Sequence, residues 1–192
     1  MSIIVCPGMH SPSLSDQFMA TLRQSCRSRD VGLAAHMARA QVLPPDRYAP
    51  FNGVSVWSFL QRAAAPDEPL LLIGFSAGVV GAIAAGQLWQ RQGHSMAALI
   101  AMDGWGVPQV GDFPLHRVSH DAFTHWSSAL LGQGQAGFYA DPPVSHLALW
   151  QFPERARGWR CQSPSSKGEA TTAVAFIGDL LQQYSDPMGK LR

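Results

Sequence analysis

The sequence predicts an α/β protein, a three-layer α/β/α sandwich around a mainly parallel central sheet. Apolar runs of strand length alternate with helical segments through the first 102 residues. This alternation is typical of a parallel sheet with helices on both faces. The run 70–73 (LLLI) is apolar throughout, as expected for a strand buried on both faces. With 46% hydrophobic and 14% charged residues among 192, the chain can bury one substantial core.

The first half of the chain carries the clearest elements. Pro7 and Gly8 end the first apolar run, and Leu14, Phe18 and Leu22 then repeat on one helical face. We expect a strand at 2–6, a helix at 14–26, a weaker strand at 34–43, a helix at 54–65, a strand at 70–73, a helix at 77–90 and a strand at 96–102.

The second half has a weaker pattern and fewer predicted strands. Glycine-rich residues 131–137 are typical of a flexible loop, and residues 153–168 of irregular structure. We expect a strand at 113–119, helices at 123–131 and 147–152, and an amphipathic C-terminal helix at 169–184. Neither a repeat nor a linker divides the chain, so residues 1–192 are predicted to form one domain without a large cap.

Charge and cysteine content narrow the functional classes. A formal net charge of +1 offers no basic surface for nucleic acid, so no nucleic-acid partner is expected. The stretch 70–88 is long and apolar enough to resemble a membrane span, but its four glycines and one serine argue against that. The N-terminus lacks the features of a signal peptide, which favours a cytoplasmic protein. Three cysteines without zinc spacing predict neither a disulfide framework nor a cysteine metal site.

The most informative motif is Gly74-Phe75-Ser76-Ala77-Gly78, which follows the apolar run 70–73 and precedes a helix. In a G-x-S-x-G turn of this kind, the serine occupies the strained tip between strand and helix. The flanking glycines let strand and helix pass close together. Ser76 is therefore a candidate nucleophile.

A serine nucleophile needs a histidine to take its proton and an acid to orient that histidine. With this turn, the acid and then the histidine follow the serine in the chain. His146 is the favoured base, because it precedes a predicted helix about 25 residues after a suitable acid; the alternative is a capping or surface histidine. The other downstream histidines are His94, His116, His120 and His125.

Two aspartates compete for the acid role. Asp121 follows the last predicted strand and is favoured, whereas Asp103 follows the preceding strand and remains the alternative. Both positions fit the edge where the carboxyl ends of parallel strands gather. The segment between these strands is short for a parallel crossover that contains a helix, which keeps the choice open.

Further residues are predicted around the serine. The backbone N–H of Ala77 and that of Met9, in the loop after the first strand, are the expected oxyanion donors. Trp105, Phe123 and Trp126 could line an apolar substrate cleft, although ordinary packing explains them equally well.

A dense group of His116, His120, Asp121 and His125 has the residue types of a metal site. On a strand, His116 and His120 would share a face while Asp121 points elsewhere, so neither a metal nor another cofactor is expected.

Four segments together carry a family resemblance: VCPGMH after the first strand, GFSAG, the SHD that ends at Asp121, and the SHLALW that contains His146. Over roughly residues 2–150 the chain resembles a small, capless α/β-hydrolase, similar in layout to minimal bacterial lipases. It has Pro7-Gly8 where the family usually has His-Gly.

The resemblance implies a serine hydrolase that cleaves an ester or thioester through an acyl-enzyme on Ser76. Its substrate would be a small-molecule or carrier-borne acyl compound. The alternatives are an acyltransferase with the same serine turn and a non-catalytic binding module of this fold. The sequence carries no signal that distinguishes a monomer from an oligomer.

Overall fold

The computed structural model describes residues 1–104, 107–108, 111–132, 134–162 and 168–186. Within these residues, eight strands form one sheet in the order β2-β1-β3-β4-β5-β6-β7-β8. The strands are β1 Ser2–Cys6, β2 Gln41–Val42, β3 Leu70–Phe75, β4 Met96–Met102, β5 Leu115–Ser119, β6 Gly137–Ala140, β7 Arg157–Cys161 and β8 Ala170–Thr172. The helices are α1 Pro12–Arg27, α2 Val31–Arg39, α3 Gly53–Ala63, α4 Ala77–Arg91, α5 Ala122–Ala129, α6 His146–Gln151 and α7 Ala173–Ser185.

The sheet is parallel from β2 to β6, and β7 and β8 add an antiparallel extension. Side chains alternate between its faces: Ile3 and Val5 pack with α1, α2 and α7, whereas Ile4 and Cys6 pack with α3 and α4. Helices thus cover both faces of a mainly parallel sheet. The predicted three-layer α/β/α sandwich is confirmed.

The weak strand predicted at 34–43 is wrong over most of its length. Asp30 caps α2 by accepting the Leu33 N–H over 2.8 Å, and Leu33 and Met37, one turn apart, are both buried. Alanine, methionine and arginine are also strong helix formers. Only Gln41–Val42 forms a strand here.

The C-terminal third contains more strand than predicted. β6 begins at the end of the expected loop 131–137, and β7 occupies part of the expected irregular segment 153–168. β8 lies within the predicted helix 169–184 and pairs with β7. α7 begins only after Thr172, which caps it by accepting the Ala175 N–H over 3.3 Å. β7 (RGWRC) and β8 (ATT) lack an apolar run, and β6 (GFYA) has only four residues.

Among the described residues, no helix combines the length and apolar character that a membrane crossing requires. Cys6, Cys26 and Cys161 are buried free thiols.

Two buried histidines make the fold sensitive to acid. The His116 Nδ1 accepts the Ala136 N–H over 3.3 Å, and its Nε2 lies 2.8 Å from the Tyr184 hydroxyl. Burial lowers the pKa of His116 and that of His125 to about 4. Both imidazoles are therefore neutral in the folded protein at pH 5 to 7.

We predict that the free energy of unfolding falls as the pH drops from 6.5 towards 4. In the unfolded chain these histidines bind protons near pH 6.5, whereas in the folded chain they stay neutral until about pH 4. Each histidine therefore removes up to about 3 kcal/mol of stability. Urea unfolding of the wild type and of the His116→Gln/His125→Gln double variant measures this effect. An equally steep fall in the double variant would contradict the assignment.

Candidate functional site

Ser76 forms the sharp turn between β3 and α4. Its backbone has φ 52° and ψ −121°, a conformation that costs a non-glycine residue roughly 1–3 kcal/mol. The Ser76 N–H donates to the Met102 carbonyl oxygen over 2.9 Å. This bond ties the turn to the end of the neighbouring strand, β4. The strand, turn and helix expected around GFSAG are present, with the serine at the tip.

The loop after β1 passes directly against this turn. A Cβ atom on Gly8 would lie 3.1 Å from the Ser76 Cβ, and one on Gly78 would collide with the carbonyl oxygens of Cys6 and Pro7. Glycine at positions 8 and 78 leaves the space that the loop needs to reach the serine.

Asp103 follows β4 at the same edge of the sheet, with its residue 6% exposed. Its Oδ1 accepts the His120 backbone N–H over 2.9 Å. Its Oδ2 lies 2.8 Å from the His146 Nδ1 and 3.0 Å from the His120 Nδ1. Burial alone would raise the pKa of Asp103, but the hydrogen bonds from the two histidines outweigh it and hold that pKa below its usual value.

His146 is the first residue of α6, whose start is capped by Ser145 through the Ala148 N–H over 3.3 Å. Because its Nδ1 is bound to Asp103, its Nε2 is the nitrogen that can accept a proton. Among the hydrogen bonds between described residues, none joins Ser76 Oγ to His146 Nε2. Such bonds are often long before substrate binds and tighten afterwards.

A column of stacked aromatic rings holds the His146 imidazole. Phe18 stacks on Trp150 with centroids 3.7 Å apart, Trp150 stacks on Phe75 at 4.8 Å, and Phe75 stacks on His146 at 4.6 Å. The first three side chains are fully buried. The residue before Ser76 thus supports the imidazole from the core.

Asp121, favoured as the acid in the sequence analysis, contacts His120 rather than His146. Its Oδ1 accepts the Thr124 N–H over 2.6 Å and caps α5, and its Oδ2 lies 3.3 Å from the His120 Nε2. β5 is two strands away from β3, whereas β4 is its direct neighbour. The partner of His146 is therefore corrected from Asp121 to the alternative, Asp103.

The two predicted oxyanion donors belong to the segments that flank the serine. Ala77 is the first residue of α4, so its N–H has no acceptor within the helix. Met9 follows Gly8 in the loop against Ser76, and the residue is 71% exposed.

Of the predicted substrate residues, Trp105 lies outside the described residues. Phe123 and Trp126 belong to α5, the helix that begins beside His120, and more than half of each is exposed. This helix therefore presents two large apolar side chains at the surface.

The four residues considered for a metal site are not brought together. His116 contacts Tyr184, and the His125 Nε2 lies 3.2 Å from the Cys161 Sγ. His120 and Asp121 lie at the edge of the sheet instead.

Within the described part of the chain, Asp103, His120 and His146 do bring possible ligand atoms within 4.8 Å of one another. Both imidazole nitrogens lie at N–H···O distances from the same carboxylate oxygen. Hydrogen bonding therefore accounts for this cluster.

Comparison with known proteins adds no family assignment. The chain matches no protein-family model and no curated protein.

Sequence reasoning missed His120 as a partner of Asp103. The available signal was positional, since both residues follow parallel strands that turn out to be neighbours in the sheet. The adjacent Asp121 was the more conspicuous residue in that segment.

We predict that Gly78→Ala destabilises the protein by about 2 kcal/mol or more, because the added methyl group would push against backbone rather than against a flexible side chain. Gly86→Ala in the same helix is the control: the atoms nearest to its Cβ would be side-chain atoms of Phe113 and Met96, at 3.1 to 3.2 Å. Gly86→Ala should change stability by less than about 1 kcal/mol. Urea midpoints measure both. Equal destabilisation by the two variants would refute the close approach of loop and helix.

Proposed function

We propose that this protein is a serine hydrolase that cleaves an ester or thioester bond through an acyl-enzyme on Ser76. The observation that carries the proposal is the 2.8 Å hydrogen bond between the His146 Nδ1 and the buried Asp103, at the edge where Ser76 forms a strained turn. A serine, a histidine and a buried carboxylate in these roles are the components of a nucleophilic triad.

Each group has a defined part in the proposed reaction. Ser76 Oγ attacks the acyl carbon while His146 Nε2 takes its proton, and Asp103 stabilises the resulting imidazolium. Backbone N–H groups of Ala77 and Met9 stabilise the oxyanion. His146 then protonates the leaving alcohol or thiol. Water, deprotonated by the same imidazole, releases the acid and restores Ser76.

The exposed apolar side chains support an acyl substrate. Phe123 and Trp126 on α5, and Leu147 beside His146, are all more than 40% exposed. An acyl chain that covers them would remove apolar surface from water. No described feature favours the acyltransferase or the binding module over the hydrolase.

We predict that a fluorophosphonate forms a single covalent adduct on Ser76, because only an activated serine reacts with it. Intact mass and peptide mapping locate the adduct. Ser76→Ala should abolish it, and its free energy of unfolding should lie within about 1 kcal/mol of the wild-type value. No adduct on folded wild-type protein would contradict the proposal and favour the binding module. Hydrolysis of p-nitrophenyl esters, with and without an added alcohol acceptor, separates hydrolase from transferase.

We further predict that Asp103→Asn lowers the labelling rate on the order of ten-thousand-fold, because the imidazole loses its orienting charge. Asp121→Asn is the matched control, since asparagine also caps a helix well, and we expect it to retain labelling within about a factor of ten. A greater loss in Asp121→Asn than in Asp103→Asn would show that the acid is misassigned.

A further inference from the structure

The second histidine at this edge, His120, lies between two carboxylates. Its Nδ1 is 3.0 Å from the Asp103 Oδ2, and its Nε2 is 3.3 Å from the Asp121 Oδ2. Its side chain is 24% exposed. Its ring stands edge-on to that of His146, with centroids 6.1 Å apart.

The two carboxylates favour the charged form of the ring. The Nδ1 N–H donates to Asp103, while the Asp121 Oδ2 lies at ion-pair distance from Nε2. A neutral imidazole has one N–H and one lone pair, so the ring that donates from Nδ1 to Asp103 would have its Nε2 lone pair near the Asp121 carboxylate. The imidazolium instead carries a positive charge that both carboxylates attract.

His120 also fixes the orientation of Asp103. Its backbone N–H donates to Oδ1 over 2.9 Å, and its ring N–H donates to Oδ2. These two bonds engage both carboxylate oxygens from one residue, which directs Oδ2 towards the His146 Nδ1.

We propose that His120 is a positioning residue: as an imidazolium bridging Asp121 and Asp103, it holds the Asp103 carboxylate in the orientation that serves His146. The role in catalysis rests on the proposed function. When His120 loses a proton at alkaline pH, its hydrogen bond to Asp103 is no longer charge-assisted and its attraction to Asp121 disappears. The orientation of Asp103 then loosens and reactivity at Ser76 falls.

The charged groups around His120 agree with this proposal. Asp103 comes from the end of β4, Asp121 from the start of α5 and His146 from the start of α6. The hydrogen bond to Asp103 is the main cause that raises the pKa of His120, against an opposing effect of burial, and both aspartate charges add to it. The loss of reactivity is therefore expected above pH 6.5.

The experiment measures the rate of fluorophosphonate labelling of Ser76 from pH 6 to 10, in buffer with EDTA. Wild type should show an alkaline fall in rate. Asp121→Asn, which keeps the helix cap, should move this fall to lower pH because one of the two charges is gone. His120→Asn should abolish the fall and lower the plateau rate about tenfold, the scale of one charge-assisted hydrogen bond.

His94→Asn is the control, because His94 precedes β4 at the opposite edge of the sheet, and it should behave as wild type. An NMR titration of the His120 ring gives a readout without activity: its pKa should exceed 6.5 and fall in Asp121→Asn. An alkaline fall unchanged in both His120→Asn and Asp121→Asn would overturn the proposal, as would a His120 pKa at or below 6.5. If wild type forms no adduct at any pH, the proposed function fails, and the titration still decides whether the bridge exists.

Discussion

The buried carboxylate of Asp103 is the constraint around which this edge of the protein is built. An isolated carboxylate in the interior would cost several kcal/mol, and charge or hydrogen-bond partners must offset that cost. Here three N–H groups do so, one from the backbone and two from imidazoles. The ends of β4 and β5 and the start of α6 therefore have to meet at one point.

The order of strands brings the serine to that same point. β3 and β4 are neighbours, and the bond from the Ser76 N–H to the Met102 oxygen joins the turn to the residue just before Asp103. On the other side, the ring column from Phe18 to His146 connects the imidazole to the core. Hydrogen bonds thus fix the imidazole at its edge and aromatic packing fixes it at its face.

Much of the fold and part of the site could be predicted from the sequence. The alternation of apolar and helical segments gave the sandwich, and GFSAG in its strand-to-helix context gave the turn at Ser76. Asp103, the hydrogen-bond partner of His146, was named only as the alternative because chain order favours Asp121, whereas proximity depends on which strands are neighbours. Asp121 also has a competing local role, since an aspartate just before a helix is a good N-cap. β6 to β8 were missed because β6 has only four residues and follows a glycine-rich segment, and because β7 (RGWRC) and β8 (ATT) lack the apolar run that marks β1.

The two ends of the sheet have a consequence for association between molecules. Within the part of the chain that the structure describes, the outermost strands are β2, with two residues, and β8, with three. Long unpaired edges act as templates on which further chains add as strands, whereas very short edges offer few free N–H and C=O groups. Pro44 and Pro45 follow directly after β2 and Leu43. Neither has a backbone N–H that could pair with a further strand. The sheet therefore ends at both sides in a way that disfavours aggregation.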